Sequence, residues 1–132
     1  MTQFENIGSE FELRTPVMVL AFEGWNDAGE SATGAVAHLL NCWPHSKIAD
    51  CDPEDFYDFQ VNRPTVKVDT NVVREIHWPN TTIYGVSTPH LEHDFIIVKG
   101  IEPSMRWKNF ANSLLDLADD YEVELVITMG SL

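Results

Sequence analysis

Residues 16–40 change their hydrophobic period once, in the way expected of a strand that leads into a helix. Residues 17–22 form an uninterrupted apolar run, which is typical of a strand covered on both faces. From Ala32 to Leu40 the apolar residues recur at the spacing of one helix face. The turn between them, residues 23–31, contains two glycines and three carboxylates. In open α/β sheets, ligands bind at strand-to-helix turns of this kind, so this turn is where we expect a site.

Further strands and a second helix are predicted along the rest of the chain. The helix is expected to begin at an N-cap, Ser104, and its predicted apolar face consists of Trp107, Phe110, Ala111, Leu114, Leu115 and Ala118. The sequence predicts that residues 72–78 and 82–87 pair as an antiparallel hairpin. Other strands are predicted at residues 11–13, 47–51, 66–68, 95–99 and 123–129.

Composition disfavours several classes of function. The chain has 8 Lys and Arg against 21 Asp and Glu, a formal net charge of −13, which disfavours binding to nucleic acid or to anionic membranes. No apolar run approaches the ~20 residues of a membrane span, and the N-terminus does not resemble a signal peptide. Cys42 and Cys51 have no metal-pair spacing and are predicted to be reduced thiols. We therefore expect a cytoplasmic protein.

The chain is predicted to be a single α/β domain, residues 1–132, that is incomplete at its C-terminus. At 132 residues it is long enough to bury a core. Its last predicted strand opens into Gly130 and Ser131, where an α/β domain normally continues into another helix. We therefore expect it to be the N-terminal part of a longer domain.

Two turns of the predicted sheet share one form, a buried strand followed by a glycine, an acidic residue and a helix. Because turns after parallel strands gather at one sheet edge, the two turns are predicted to form one crevice for a ligand or partner. The candidate residues of this crevice are Glu23, Gly24, Trp25, Asn26, Asp27, Gly29, Gly100, Glu102, Arg106 and Trp107.

A purely structural role for the first turn is the favoured alternative. Its three carboxylates and lack of lysine disfavour a phosphate site despite the helix N-terminus. In this interpretation Gly24 and Gly29 adopt backbone angles that suit glycine, while Asp27 or Ser31 caps the helix. Arg106 is then expected to form a salt bridge with Glu102 or Asp27. The four tryptophans, Trp25, Trp43, Trp78 and Trp107, are expected to be core or interface residues, and Trp25, in the turn, is expected to be the most exposed.

Residues 90–94, His-Leu-Glu-His-Asp, combine imidazoles and carboxylates and so hint at a divalent metal. A zinc site needs further ligands from elsewhere in the chain, and a solvated polar loop is the favoured interpretation. We predict no metal and no cofactor, and the sequence identifies no catalytic residue.

Three segments in order, residues 22–29, 52–64 and 100–107, carry a family resemblance. The first reads Phe-x-Gly-Trp-Asn-Asp-Ala-Gly, the second contains Phe56-Tyr57-Asp58 and ends in Arg63-Pro64, and the third reads Gly-x-Glu-Pro-Ser-x-x-Trp. Together they resemble the proteasome assembly chaperone 2 family, in particular its uncharacterised actinobacterial members.

The resemblance implies a three-layer α/β/α fold with a mixed central sheet, of phosphorylase/hydrolase-like architecture. It also implies a homo-oligomer and supplies no agreed catalytic set. The eukaryotic members hold proteasome α-subunits during ring assembly. Members of the family continue past residue 132.

Three hypotheses of function follow. The first is a non-catalytic protein-binding or assembly module whose partners are proteasome subunits or another protein complex. The alternative is a small-molecule hydrolase or nucleotide-dependent enzyme that uses Glu23, Asp27, Glu102 and Arg106. In the third, the two turns serve only folding and self-association.

Overall fold

The computed structural model describes residues 4–132. Its strands are β1 (Phe4–Asn6), β2 (Val17–Glu23), β3 (His45–Cys51), β4 (Thr65–Val68), β5 (Arg74–His77), β6 (Thr81–Val86), β7 (Phe95–Ile101) and β8 (Leu125–Met129). Its α-helices are α1 (Ser31–Cys42), α2 (Pro53–Phe56) and α3 (Trp107–Asp120), and a short 3-10 turn, Ala28–Glu30, precedes α1. Six strands form one sheet in the order β1-β3-β6-β7-β2-β8, and β4 and β5 form a separate ribbon.

The alternation of side chains along β2 explains why the sheet is covered on both faces. Val17, Val19 and Ala21 share one apolar cluster with Ala32, Val36 and Leu40 of α1. Met18 and Leu20 point the other way, into a larger cluster that contains Phe110, Leu114 and Leu117 of α3. Each face of a sheet whose residues are apolar on both sides needs its own helical layer. The predicted three-layer α/β/α fold is confirmed.

Strand directions bring several turns to one edge of the sheet. β2 pairs in parallel with both β7 and β8. β6 is antiparallel to β7 and to β3, so β3 runs in the same direction as β2. The sheet is therefore mixed, and the segments that follow β2, β3, β7 and β8 all leave from the same edge, as predicted.

The predicted hairpin between residues 72–78 and 82–87 is wrong. β5 pairs instead with β4, so that Val66 lies opposite Ile76. A turn closed by Asp69 favours this pairing, because its carboxylate accepts hydrogen bonds from the backbone N–H groups of Asn71 and Val73 at 2.9 and 3.1 Å. β6 has several fully buried residues, and it enters the sheet interior between β3 and β7.

Residues 11–13 were predicted to be a strand and form none. The hydroxyl of Ser9 accepts a hydrogen bond from the N–H of Phe11 at 3.0 Å, a local turn that competes with strand pairing. Leu13 nevertheless packs against the main core. The edge position of the sheet is taken by β1, which pairs with β3.

The start and the buried face of α3 also differ from the prediction. Ser104 is not its N-cap; that position belongs to Arg106, whose φ of 57° is left-handed. The buried residues of α3 are Phe110, Ser113, Leu114, Leu117 and Ala118. Trp107, Ala111 and Leu115 are exposed instead, because they line an open groove beside β8, the last strand of the described sheet.

Candidate functional site

A cleft of about 640 Å³ opens at the carboxyl edge of β2 and β7. One wall consists of residues 23–25 and 101–104, which follow these two strands. The rest of the lining comes from Val61, Asn62, Arg63 and Thr65, with His77 and Pro79. Two of the predicted turns therefore do contribute to one concave site, together with a segment that the crevice hypothesis did not include.

Gly24 and Glu102 fix the floor of the cleft. The N–H of Glu102 donates a hydrogen bond to the carbonyl oxygen of Glu23 at 3.0 Å, which continues the pairing of β2 and β7 into the turn. Gly24 has a φ of 147°, and a Cβ atom there would lie 2.5 Å from the carboxylate oxygen Oε2 of Glu102. The φ of Gly24 favours glycine, and the lack of a Cβ atom leaves the space in which the Glu102 side chain lies.

Trp25 stands at the rim of this cleft with 96% of its surface exposed. Its exposure confirms the expectation from its place in the turn. Single exposed apolar residues are common on protein surfaces, but tryptophan is the most costly side chain to leave in water and is enriched at binding interfaces. The other exposed tryptophans keep about half of their surface covered, Trp78 being 52% and Trp107 57% exposed.

Asp27 belongs to the helix and not to the cleft. Its carboxylate is buried and accepts hydrogen bonds from the N–H of Ala32 at 2.8 Å, the N–H of Thr33 at 3.1 Å and the hydroxyl of Thr33 at 2.6 Å. The hydrogen bond from the Thr33 hydroxyl is the main reason that the pKa of Asp27 is lowered. The structural alternative is therefore correct for Asp27, and Gly29 adopts the left-handed φ of 64° that it requires.

We expect Asp27→Ala to lower the melting temperature by several degrees, because the first turn of α1 loses its cap. The lowered pKa of Asp27 means that its contribution is present above the ordinary Asp pKa and is lost as the pH falls below it. Thermal denaturation between pH 7 and acid conditions measures both effects. Glu30→Gln, which removes a charge from the same turn, is the control, and an equal loss in both variants would contradict the capping role.

The same turn is tied to the end of β8. Ser131 donates through its N–H to the carbonyl of Asn26 at 2.6 Å and through its hydroxyl to the carbonyl of Ala28 at 2.9 Å. Asn26 faces a second surface, an apolar groove of about 390 Å³ between α3 and the sheet. Trp107 lines that groove, and Glu102 and Pro103 form the ridge that separates it from the cleft.

The predicted partners of Arg106 are wrong. Its guanidinium lies 3.9 Å from the carboxylate of Asp55 and is not paired with Glu102 or Asp27. Arg106 immediately precedes α3 and does not line the cleft that contains Glu102. Gly100 is also outside the cleft, inside β7 and against Thr81. Of the four residues assigned to the enzymatic alternative, only Glu23 and Glu102 therefore share one site.

The segment at residues 61–65 is held by residues that were not among the predicted crevice residues. Asn62 donates to the hydroxyl of Ser104 at 2.6 Å, and Ser104 donates through its N–H to the carbonyl of Phe56 at 2.8 Å. The buried Tyr57 hydroxyl lies 2.6 Å from that of Thr81 and donates to the carbonyl of Ile101 at 2.7 Å. Burial raises the pKa of Tyr57 above its ordinary value. The Phe56-Tyr57-Asp58 motif was the sequence feature that could have identified this part of the cleft, because Tyr57 anchors the segment that leads to Arg63 through these hydrogen bonds.

The loop at residues 90–94 was predicted to be solvated, but its last residue is a buried structural anchor. Asp94 accepts hydrogen bonds from the backbone N–H of Arg14 at 2.8 Å, the Arg14 Nε at 3.1 Å and the backbone N–H of Thr88 at 2.9 Å. His93 lies 2.9 Å from the hydroxyl of Thr15. Within residues 4–132 no three His, Cys, Asp or Glu side chains are grouped so that they could hold a metal ion.

The fold and the cleft place this chain among three-layer α/β/α proteins with an open site at the carboxyl edge of a mixed sheet. The PAC2 family model matches residues 21–132, so the chain belongs to the PAC2 family, as the resemblance predicted. In the described part of the chain, no helix has the length and apolar character needed to cross a membrane. A search of curated proteins finds no match.

Solved structures support the same assignment. A PAC2 family protein from Streptomyces avermitilis is 53% identical with a TM-score of 0.79, over 89% of this chain and 50% of its own. A proteasome-assembly chaperone homologue from Mycobacterium tuberculosis is 43% identical with a TM-score of 0.80, over 88% of this chain and 49% of its own. A protein of unknown function from Corynebacterium glutamicum is 25% identical with a TM-score of 0.79, over 96% of this chain and 49% of its own. The chain thus spans about half the length of these relatives.

Proposed function

We propose that this chain is a protein-binding module that acts in the assembly of a protein complex, with proteasome subunits as the first candidates. The proposal is supported by membership of the PAC2 family and by the likeness to a structure described as a proteasome-assembly chaperone homologue. We also propose that it works in the cytoplasm as a homo-oligomer, as the resemblance implies.

The observation that carries the proposal is the combination of Trp25 with the cleft. A tryptophan that is 96% exposed at the rim of a concave surface offers a large apolar area to a partner. Its turn is held by the Asp27 cap on one side and by the bond between Glu102 and Glu23 on the other. A turn whose backbone is ordered before binding loses less entropy when a partner docks, which favours binding at such a position.

The alternative, a small-molecule hydrolase or nucleotide-dependent enzyme, has less support. The comparisons give it no support, and two of its four proposed residues, Asp27 and Arg106, lie outside the cleft. The carboxylate of Asp27 caps α1, and Arg106 pairs with Asp55. Of the four residues, Glu23 and Glu102 line the cleft, where both carboxylates can serve in binding without a catalytic role.

Immobilised proteasome α-subunits from the source organism provide the test, with the full-length protein as the soluble partner. We expect specific retention, and we expect Trp25→Ala to weaken it by about tenfold or more, since an anchor tryptophan is lost. Trp107→Ala is the matched control because Trp107 is exposed in the apolar groove on the other side of the Glu102–Pro103 ridge. Retention no greater than that of an unrelated acidic protein would contradict the proposed function.

A further inference from the structure

The carboxylate of Glu102 lies against Gly24 in a half-buried position. Within residues 4–132 its side chain makes no hydrogen bond and no ion pair. A carboxylate that is partly withdrawn from water and unpaired is less well solvated than one on an open surface. The Glu102 carboxylate therefore has less water to lose when a cationic group enters the cleft and pairs with it.

Two further groups on the same wall suit a cation. Glu23 lines the cleft beside Glu102, and its side chain is likewise unpaired in the described chain. Trp25 presents its indole ring at the rim, and the face of an indole attracts ammonium and guanidinium groups. This wall therefore offers two negative charges and one aromatic ring.

The cations of the chain itself do not occupy this wall. Arg63 and His77 also line the cleft, but neither is paired with Glu23 or Glu102 in the described chain, and Nε2 of His77 lies 3.5 Å from a carboxylate oxygen of Glu75. Arg63 has no ion pair within the described residues. The chain as a whole has 21 acidic residues against 8 Lys and Arg, so its own field favours the approach of a basic partner.

We propose that the cleft receives a lysine or arginine side chain from a basic segment of the partner, which pairs with Glu102 and Glu23 and stacks on Trp25. This inference rests on the proposed function, because it names the chemistry of the partner at the same site. Charge complementarity selects the cationic side chain, and the apolar stem of that side chain covers the indole ring.

Short capped peptides of sequence Gly-Lys-Gly, Gly-Arg-Gly and Gly-norleucine-Gly test this chemistry without the natural partner. The indole N–H signal of Trp25, assigned by its loss in Trp25→Phe, is followed by NMR as each peptide is added to the full-length protein. We expect the lysine and arginine peptides to shift this signal in the millimolar range and the norleucine peptide to leave it unchanged. Glu102→Gln should weaken the response at least about threefold, and Glu30→Gln, which removes the same charge outside the cleft, should not.

The two proposals fail in different ways. If proteasome α-subunits are retained but Glu102→Gln binds them and the basic peptides as well as the unaltered protein does, the cation site is wrong and the assembly role stands. If the basic peptides shift the Trp25 signal and no α-subunit is retained, the cation site stands and the assigned partner is wrong. Equal shifts from the lysine and norleucine peptides would overturn the cation site outright.

Discussion

Replacing Gly100 with alanine is expected to lower the free energy of unfolding by about 3 kcal/mol, a large share of the stability of a domain this size. Gly100 lies opposite Thr81 in the pairing of β7 with β6. A Cβ atom at Gly100 would come within 2.6 Å of the Thr81 Cα, which belongs to the backbone and cannot rotate away. The two strands would have to separate, and the hydroxyl of Thr81 would move away from Tyr57, to which it is hydrogen-bonded.

Urea unfolding of the full-length protein, followed by circular dichroism, measures this loss. Gly34→Ala is the matched control, because a Cβ atom at Gly34 meets nothing within 4 Å on the exposed side of α1. We expect that variant to be more stable by about 0.5–1 kcal/mol, since alanine favours a helix over glycine. A Gly100→Ala protein with unchanged stability would show that β6 and β7 are not packed as closely as described.

Asp94→Asn is expected to cost about 2–3 kcal/mol of stability. The buried carboxylate accepts hydrogen bonds from Arg14 and Thr88, and an amide in its place turns one donor group toward other donors. Because Arg14 is half-exposed, water can solvate its guanidinium when the pair is lost. The loss in the free energy of unfolding is therefore smaller than for a fully buried pair. Asp116→Asn, on the exposed side of α3, is the control and should leave the free energy of unfolding unchanged.

The same pair makes stability depend on pH. Burial alone would raise the pKa of Asp94, but the hydrogen bonds from Arg14 and Thr88 outweigh it and lower the pKa to about 2. Since the folded pKa is below that of the unfolded chain, the stabilisation is complete above the ordinary Asp pKa of 3.8 and is lost as the pH falls toward about 2. Urea unfolding at a series of acid pH values should show a shallower decline for Asp94→Asn than for the unaltered protein. Parallel curves would contradict the assignment.

Local patterns were sufficient to predict much of the fold. The apolar run of β2 reflects burial on both faces of the sheet, and the spacing after Ala32 reflects burial of one face of α1; both elements form as predicted. The family resemblance supplied the three layers. Strand partners were harder to predict, because a largely exposed strand such as β5 can pair with the strand before it or the strand after it. Its hydrophobic pattern is the same in either case, and the hydrogen bonds of Asp69 favour the earlier partner.

The site was predicted in part for a similar reason. Sequence order placed Glu23 and Glu102 at one sheet edge, and both line the cleft. It did not show where each carboxylate points, so Asp27 was grouped with them although it faces Thr33. Asp94 was misjudged because a carboxylate next to polar residues usually faces water, and its partner Arg14 is 80 residues away in sequence. Long-range pairing of this kind leaves no periodic signal.

The three main walls of the cleft come from stretches of chain that lie roughly forty residues apart, near Trp25, near Arg63 and near Glu102, with His77 and Pro79 beside the second. No partly folded form that contains only one or two of these stretches can present the complete surface. Contacts between distant parts of a chain also form late, after the entropy of the intervening loops has been lost. A partner that needs all three walls would therefore bind only copies that have finished folding, and its binding energy would stabilise the whole domain.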